Sequence, residues 1–496
     1  MLLTATALIM RTVGVVFNAY ISDKLTKSGM GLFTLVMSVY SFAVTFATSG
    51  INLAATRLTA EAMGHGNSRE IRDAMVRCII YSLFFGCVGG MGLYFGAEFF
   101  GGVLMGDERT VPSLRLLSFG LPYLSVSSAL NGYFTAVRRV IKSAACQFFE
   151  QLLKILFTVL GFAAFLDRGL EYGCLALVGA SMLAETLSAL LAFILYITDL
   201  KKHNDLSGGR VSGLTGKLCG VALPVAVSAY FRSGLLTAEH MLIPWGLKRS
   251  GVGADAALAS YGVVQGMVLP VVLYPSAFIV AFTSLLIPEF AEDIASGERE
   301  RNNRIADRAI GATLVFSIGV AAVMMSFSEP LGLAIYKSRE CGYFIRLIGA
   351  LIPVMYLDGV VDAMLKGMGY QFYSMVVNII DALVSCACVF VLVPRMGING
   401  YVVTIFIGEI LNFALSISKL LAHSDIRVQV FKRVVFPLAA GIGATSIAHL
   451  VFRCTSVNFW LQIIVACAIY ICLLFTTGSL DFFGVIRRRR QRDKSL

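Results

Sequence analysis

Apolar runs of about 20 residues, long enough to cross the ~30 Å hydrocarbon of a bilayer as helix, recur along the whole chain. Short polar breaks separate them, such as GHGNSREIRD at 64–73, KKHNDLSGGR at 201–210 and SGERERNNRIADR at 296–308. Read against these breaks, the pattern predicts about 14 helices. Their centres fall near residues 11, 45, 84, 125, 153, 185, 230, 272, 316, 354, 382, 409, 441 and 468. The runs are continuous rather than alternating, which excludes a β-barrel. The fold class is therefore an all-α polytopic membrane protein. The first run passes into NAYISDKLTKSGMG without a small-residue cleavage site, so it is expected to be a retained helix.

The pattern also repeats. LAATRLTAEAMGHGNSREIRDAM from Leu53 matches LIPEFAEDIASGERERNNRIADRA from Leu286, placing Ala60 and Glu61 on Ala291 and Glu292 at an offset of 231. The same offset carries PYLSVSSALNGYFTAVRRVIKSAACQFFEQ from Pro122 onto PVMYLDGVVDAMLKGMGYQFYSMVVNIIDA from Pro353. It pairs Asn131 with Asp362, Ser143 with Ser374, Gln147 with Asn378 and Glu150 with Asp381. Slightly shorter offsets pair Glu185 with Glu409 and Arg11 with Arg232. Helices 1–6 and 7–12 thus read as two copies of one six-helix unit. Six is even, so both copies enter the membrane in the same sense. Parallel repeats of this kind build transporters whose site lies between two lobes. The expected organisation is an N-terminal lobe over 1–200 and a cytoplasmic linker over 201–214. A C-terminal lobe follows over 215–423, then helices 13 and 14 over 424–480 and a basic cytoplasmic tail over 481–496.

Composition agrees with this class. Of 496 residues, 57% are hydrophobic and 14% charged, against about 25% charged in soluble domains, and the mean hydropathy is +0.79. The net charge of +11 is largely topological. With the N-terminus in the cytoplasm, the inner loops receive Arg69, Arg72, Arg138, Arg139, Lys142, Lys201, Lys202, Arg210, Arg299, Arg301, Arg304, Arg427, Lys432 and Arg433. That is about twice what the outer loops carry, and the positive-inside rule then places both termini inside. The tail Arg487–Arg490 is suited to anionic headgroups rather than nucleic acid. The 11 cysteines and five histidines are scattered without metal-ligand spacing. No phosphate-binding loop, hydrolase elbow or dinucleotide fingerprint is present, so no enzyme and no resident cofactor are expected.

Two six-helix lobes plus two helices, with TSGINLAATRLTAEAMGHGN after helix 2 and GYFTAVRRVIKSAACQFFEQLLKILF across helices 4 and 5, resemble the multidrug/oligosaccharidyl-lipid/polysaccharide exporter superfamily. The polysaccharide-biosynthesis branch is the best match. The resemblance implies a monomeric flippase of the bacterial cytoplasmic membrane. Its cargo would be an undecaprenyl-pyrophosphate-linked saccharide, a peptidoglycan or polysaccharide precursor, moved by alternating access. Lipid II flippases are relatives in this superfamily, and cation-coupled drug antiporters are more distant ones. An antiporter on the same scaffold is the alternative reading. A membrane transferase on the same lipid would need a catalytic base or metal cluster and large outer loops, which this chain lacks.

A charge at mid-bilayer is costly and faces an aqueous cavity or a partner. Arg11 and Arg232 open the two lobes at equivalent positions, and guanidinium forks suit pyrophosphate oxygens. A symmetric fold is expected to bring them to opposite walls of one cavity. Asn18 follows Arg11 by seven residues, and Glu239 follows Arg232 by seven, about two helical turns and so one face. The similar lipid II flippases carry cavity arginines on helices 1, 2 and 8. Arg11 matches the first and Arg57 the second, while SYGVVQG from Ser260 offers no cation for the third. The substrate-binding candidates are Arg11, Asn18, Asn52, Arg57, Arg232 and Glu239. Glu239, Asn378 and Asp381 are candidates for a coupling ion, with Na+, H+ or the membrane potential as the driving force. Glu150 and Lys154 are spaced for i,i+4 pairing, and Asp358 and Asp362, four apart, are candidates to pair with Lys366. Gly86 and Gly90 suit close helix packing, and Pro270, Pro275 and Pro288 suit hinges.

Overall fold

The computed structural model describes residues 2–65, 68–202, 213–280, 283, 286, 290, 299–424, 431–452 and 458–476. Residues 203–212 of the expected linker, Pro288, Ala291, Glu292, Arg427 and the basic tail lie outside these residues. All regular structure among the described residues is helical. Eleven helices are long and apolar enough to span a membrane, or twelve if the bent pair at 339–367 counts as one span. The two remaining predicted centres fall on α1 (Leu2–Lys24) and on α5 (Val111–Ser118) with α6 (Leu121–Ala136).

The chain divides into two compact units. The first comprises residues 1–266 and 382–404, the second 267–381 and 405–496. This division differs from the repeat. The first unit takes in α9 (Leu214–Arg249) and α10 (Ala254–Tyr261), which the repeat assigns to the second copy.

In the first unit, α2 (Lys27–Thr48) is the central helix, touching α1, α4 (Ser68–Glu98), α6, α9 and α10. Thr26 caps it, its hydroxyl oxygen accepting from the Gly29 amide and so satisfying one of the donors a helix start leaves unpaired. Small residues bring the backbones together. A Cβ on Gly262 would lie 2.5 Å from the Gly31 amide nitrogen, so α10 rides directly on α2. Gly86 and Gly90 meet Pro122 and Ser118 in the same way, as their spacing predicts. Side-chain hydrogen bonds add to this seam. Tyr230 of α9 donates to the Phe46 carbonyl at 3.0 Å and Thr237 to the Ser38 carbonyl at 3.1 Å. Beyond it, α7 (Val140–Phe165) lies along α8 (Leu170–Lys202). The outer faces keep large apolar side chains exposed, such as Phe95, Ile141 and Leu160, as a lipid-facing surface requires.

The second unit contains α12 (Arg299–Ser326), α13 (Ser328–Tyr336), α14 (Arg339–Gly349) and α15 (Ile352–Gly367). The C-terminal part of α17 (Ile398–Ala422), α18 (Phe436–Val451) and α19 (Phe459–Thr476) complete it. α16 (Gln371–Met396) starts here and ends in the first unit. α18 and α19 pack on α12, where Tyr470 donates to the Val315 carbonyl at 2.7 Å and Arg433 forks onto Asp307. Predicted helix 8 is broken. After α10 come a π-helical segment at Gly262–Val268 and the short α11 (Leu269–Leu273) with Pro270 in its first turn.

The repeat is visible in local geometry. Ser143 donates to Asn131 Oδ1 at 2.8 Å, and the repeat-equivalent Ser374 donates to Asp362 Oδ1. Between these partners the chain turns through a left-handed residue in both copies, Arg138 (φ 57°) and Gly369 (φ 84°), again 231 positions apart.

Candidate transport site

Polar side chains inside spans must find partners or face water, and in the first unit they gather around the π-helical segment. Asn18 of α1 donates to the Gly266 carbonyl at 2.9 Å. Tyr401 donates to Gln265 Oε1 at 2.8 Å, and the Tyr261 hydroxyl lies 3.1 Å from His240 Nδ1. Glu239 is within electrostatic reach of Tyr261, Tyr401 and the Cys386 thiol. A π-helical turn leaves carbonyls displaced from the regular i→i−4 ladder, and Asn18 takes one of them. Asn18 and Glu239 thus share a neighbourhood that the seven-residue spacing alone did not reveal. Tyr261, Gln265 and Tyr401 escaped the sequence reading, although a run of polar and aromatic residues inside apolar spans marks them.

Arg232 lies midway along α9, about 27 Å from its start at 1.5 Å per residue. Its side chain is exposed, with no ion-pair partner among the described residues. Arg11 is half-buried in α1. Both helices belong to the first unit and both touch α2. The two arginines therefore belong to one compact unit rather than to separate ones. Arg57 is exposed on α3 (Ile51–Gly64), its Nε donating to Glu61 Oε1 at 3.0 Å. Glu61 also receives Lys217 of α9 at 3.6 Å. Asn52, at the start of α3, donates to the Ser128 carbonyl at 3.2 Å and so ties α3 to α6.

The coupling-ion candidates are divided between the units, with Glu239 in the first and Asn378 and Asp381 in the second. Asn378 donates to the Ser374 carbonyl of its own helix at 2.7 Å. Asp381 lies within electrostatic reach of Asp358 on α15 and Glu409 on α17. Lys366 pairs with Asp362 at 2.5 Å, while Asp358 faces the other carboxylates, so the i,i+4 expectation holds for one aspartate in ion-pair form. In the first unit, repeat-equivalent Glu150 and Glu185 are placed differently. Lys154 acts on both, and Tyr40 of α2 donates to Glu185 at 2.6 Å. Among the described residues no three His, Cys, Asp or Glu side chains are placed to hold a metal ion.

Ion pairs tie both ends of the first unit. At one end Arg109 bonds Asp107 at 2.6 Å and Asp255 at 2.9 Å, while Lys248 donates to the Gly106 carbonyl at 3.2 Å. The hydrogen bonds to Asp107, then to Asp255, hold the guanidinium pKa above its ordinary value. At the other end Asp199, 1% exposed, receives Arg139, Lys142 and the Tyr133 hydroxyl.

The model of the polysaccharide biosynthesis protein family matches residues 1–292, more than half of the chain. The protein belongs to this family. A second model, MatE, matches residues 249–391. Stage V sporulation protein B of Bacillus subtilis is 24% identical over 488 residues, covering 96% of this chain and 94% of the relative. Lipid II flippase MurJ of the same organism is 23% identical over 467 residues, covering 88% and 84%. Among solved structures, lipid II flippase MurJ in an inward closed conformation superposes with a TM-score of 0.73 at 12% identity, covering 98% of this chain and 100% of that one. A multidrug resistance MATE family transporter superposes at 0.68 and 13% identity, covering 84% and 98%. The chain is thus a multi-pass membrane protein of the multidrug/oligosaccharidyl-lipid/polysaccharide exporter superfamily.

Proposed function

We propose that this protein flips an undecaprenyl-pyrophosphate-linked saccharide from the inner to the outer leaflet of the bacterial cytoplasmic membrane. Both termini lie in the cytoplasm in this reading. The observation that carries it is Arg232, an exposed cation without an ion-pair partner among the described residues, halfway along a span. Lipid around such a group is costly. An aqueous path with a dense anion in it removes that cost, and pyrophosphate fits the guanidinium fork. Arg11, its repeat-mate, supplies a second cation on a helix touching the same neighbour. Asn18, Glu239, Gln265 and Tyr401 supply hydrogen-bonding groups suited to saccharide hydroxyls. The names of two relatives, a lipid II flippase and a sporulation protein, agree with a wall-precursor substrate.

The driving force in this reading is Na+, H+ or the membrane potential, with Glu239, Asn378 and Asp381 as ion-handling groups. The crowding of Asp358, Asp381 and Glu409 favours a second reading, a cation-coupled drug antiporter, because such a cluster gains from a bound cation. Reconstitution into vesicles with a fluorescent lipid-linked oligosaccharide separates the two. The first reading requires flipping that falls in Arg11→Ala and Arg232→Ala. Drug-driven cation exchange without flipping would replace it with the second.

A further inference from the structure

The second unit contains a cleft of about 480 Å³ at the ends of α12, α16 and α17, within the range of small-molecule sites. It is bordered by Phe290, Asn302, Asn303, Tyr370, His423 and Ser424. The repeat shows that the fold does not require it. Extending the matched offsets along the same helices places Asn302 on Ile71, Tyr370 on Arg139, Leu420 on Tyr196 and His423 on Asp199. In the first unit that corner is sealed. Arg139 and Lys142 close on buried Asp199, the Tyr133 and Tyr196 rings meet edge to face at 5.0 Å, and Ile71 packs on the core. Among the described residues, the second copy replaces ion pair, aromatic ring and isoleucine with His423, Tyr370, Leu420 and Asn302, which leave the cleft between them.

The groups left there ask for a ligand. Asn302 is 8% exposed, and its side-chain oxygen is buried with no hydrogen-bond partner among the described residues. Rotation about Cβ–Cγ turns one polar end of that amide toward the cleft. His423 Nδ1 lies 3.0 Å from the Lys419 carbonyl. A carbonyl only accepts, so Nδ1 carries a proton, and the tautomer with that proton alone leaves Nε2 as an acceptor. A ligand satisfying both brings hydroxyl donors. A positive charge stands beside them, because the Lys419 ammonium lies 4.8 Å from the centre of the Tyr370 ring. The position is at the ends of spans, where α16 begins and α17 stops, at the depth of lipid headgroups. Exposed Phe372 and Leu421 flank it, as membrane-facing residues.

We propose that this cleft binds the phosphoglycerol headgroup of a membrane lipid. The glycerol hydroxyls bond Asn302 and His423, and the phosphate lies on the Lys419 side. None of the residues bordering it is among those assigned to the transport reading, and its test does not use transport.

The test measures lipid binding to the purified full chain in detergent by native mass spectrometry, alongside thermal unfolding. Phosphatidylglycerol is compared with phosphatidylcholine of identical acyl chains. The expected preference for phosphatidylglycerol is about tenfold, from two or so added hydrogen bonds. Asn302→Ile and the double variant Tyr370→Arg/His423→Asp copy the sealed corner of the first copy, and both should lose the preference. The double variant decides the matter if Asn302→Ile folds poorly. No preference in the wild type, or a preference that survives in both variants, overturns the proposal. Free glycerol phosphate at millimolar concentration distinguishes the source. Displacement of the lipid without tighter binding of its own supports a lipid headgroup. Binding as tight as that of the lipid assigns the cleft to a soluble polyol phosphate and overturns the lipid assignment.

Discussion

The two copies of the repeat share the Ser143–Asn131 and Ser374–Asp362 bonds and the left-handed turn between them, and differ in how they treat charge. In the first, each buried acidic group has a neutralising or hydrogen-bonding neighbour. Asp199 has Arg139, Lys142 and Tyr133, and Glu185 has Tyr40 and Lys154. In the second, Asp358, Asp381 and Glu409 crowd one another, although Ser416 bonds Asp358 and Lys366 acts on it, and the corner equivalent to Asp199 borders a cleft. Like charges gathered in a span cost stability unless a ligand or proton shares the site. The first copy therefore reads as the one whose buried charge is internally satisfied, and the second as the one whose carboxylates would gain from a bound cation or proton.

The largest expected effect separates the two equivalent corners. Asp199→Ala leaves two cations beside a buried site without their carboxylate and should cost about 3–5 kcal/mol. His423→Ala at the matching position should cost under about 1 kcal/mol, since the cleft already tolerates its space. Chemical denaturation in micelles measures both, and equal costs would refute the sealed-versus-open distinction. The shared hydrogen bond comes next. Ser374→Ala removes a bond to ionisable Asp362 and should cost about 1.5–3 kcal/mol if that carboxylate is charged, whereas Ser143→Ala removes a neutral bond to Asn131 and should cost about 1 kcal/mol. A reversed order would indicate that Lys366 alone satisfies Asp362. The smallest effect concerns the left-handed turn. Gly369→Ala should cost about 1 kcal/mol, and Arg138→Gly should be neutral or stabilising by up to about 1 kcal/mol. Both would show in melting temperature. A loss of stability in Arg138→Gly would mean that the arginine side chain outweighs the strain of its backbone.

The spans were readable from the sequence because a bilayer imposes length and apolarity on every crossing helix. The repeat was readable because polar residues survive at matched positions, and Ser143 and Ser374 make the same bond. Gly86 and Gly90 were readable because two glycines four apart in a span put a side-chain-free strip on one helix face, which suits close approach. The compact units were not, since contact follows tertiary packing, and α9 lies on α2 despite its place in the second copy. The π-helical turn was invisible for a similar reason, because the Gln and two Gly of GVVQGMV mark an irregular span without specifying its hydrogen-bond pattern. Asn18 and Glu239 were chosen by spacing, yet their neighbours Tyr261, Gln265 and Tyr401 come from other segments that only folding brings near. Arg57 illustrates the opposite limit. Its motif suggested a ligand, and folding gives it Glu61, which also draws Lys217. The cleft was hidden because it is defined by bulk that the second copy lacks.

The central claim is that the repeat-paired arginines hold the anionic headgroup of a lipid-linked saccharide. The most direct measurement is the flipping rate of a fluorescent undecaprenyl-pyrophosphate-linked oligosaccharide in vesicles containing wild type, Arg232→Ala or Arg232→Lys protein. Loss of one charge-assisted contact should slow Arg232→Ala about tenfold or more, with partial recovery in Arg232→Lys, which keeps charge without the fork. Flipping by Arg232→Ala at the wild-type rate would contradict the account.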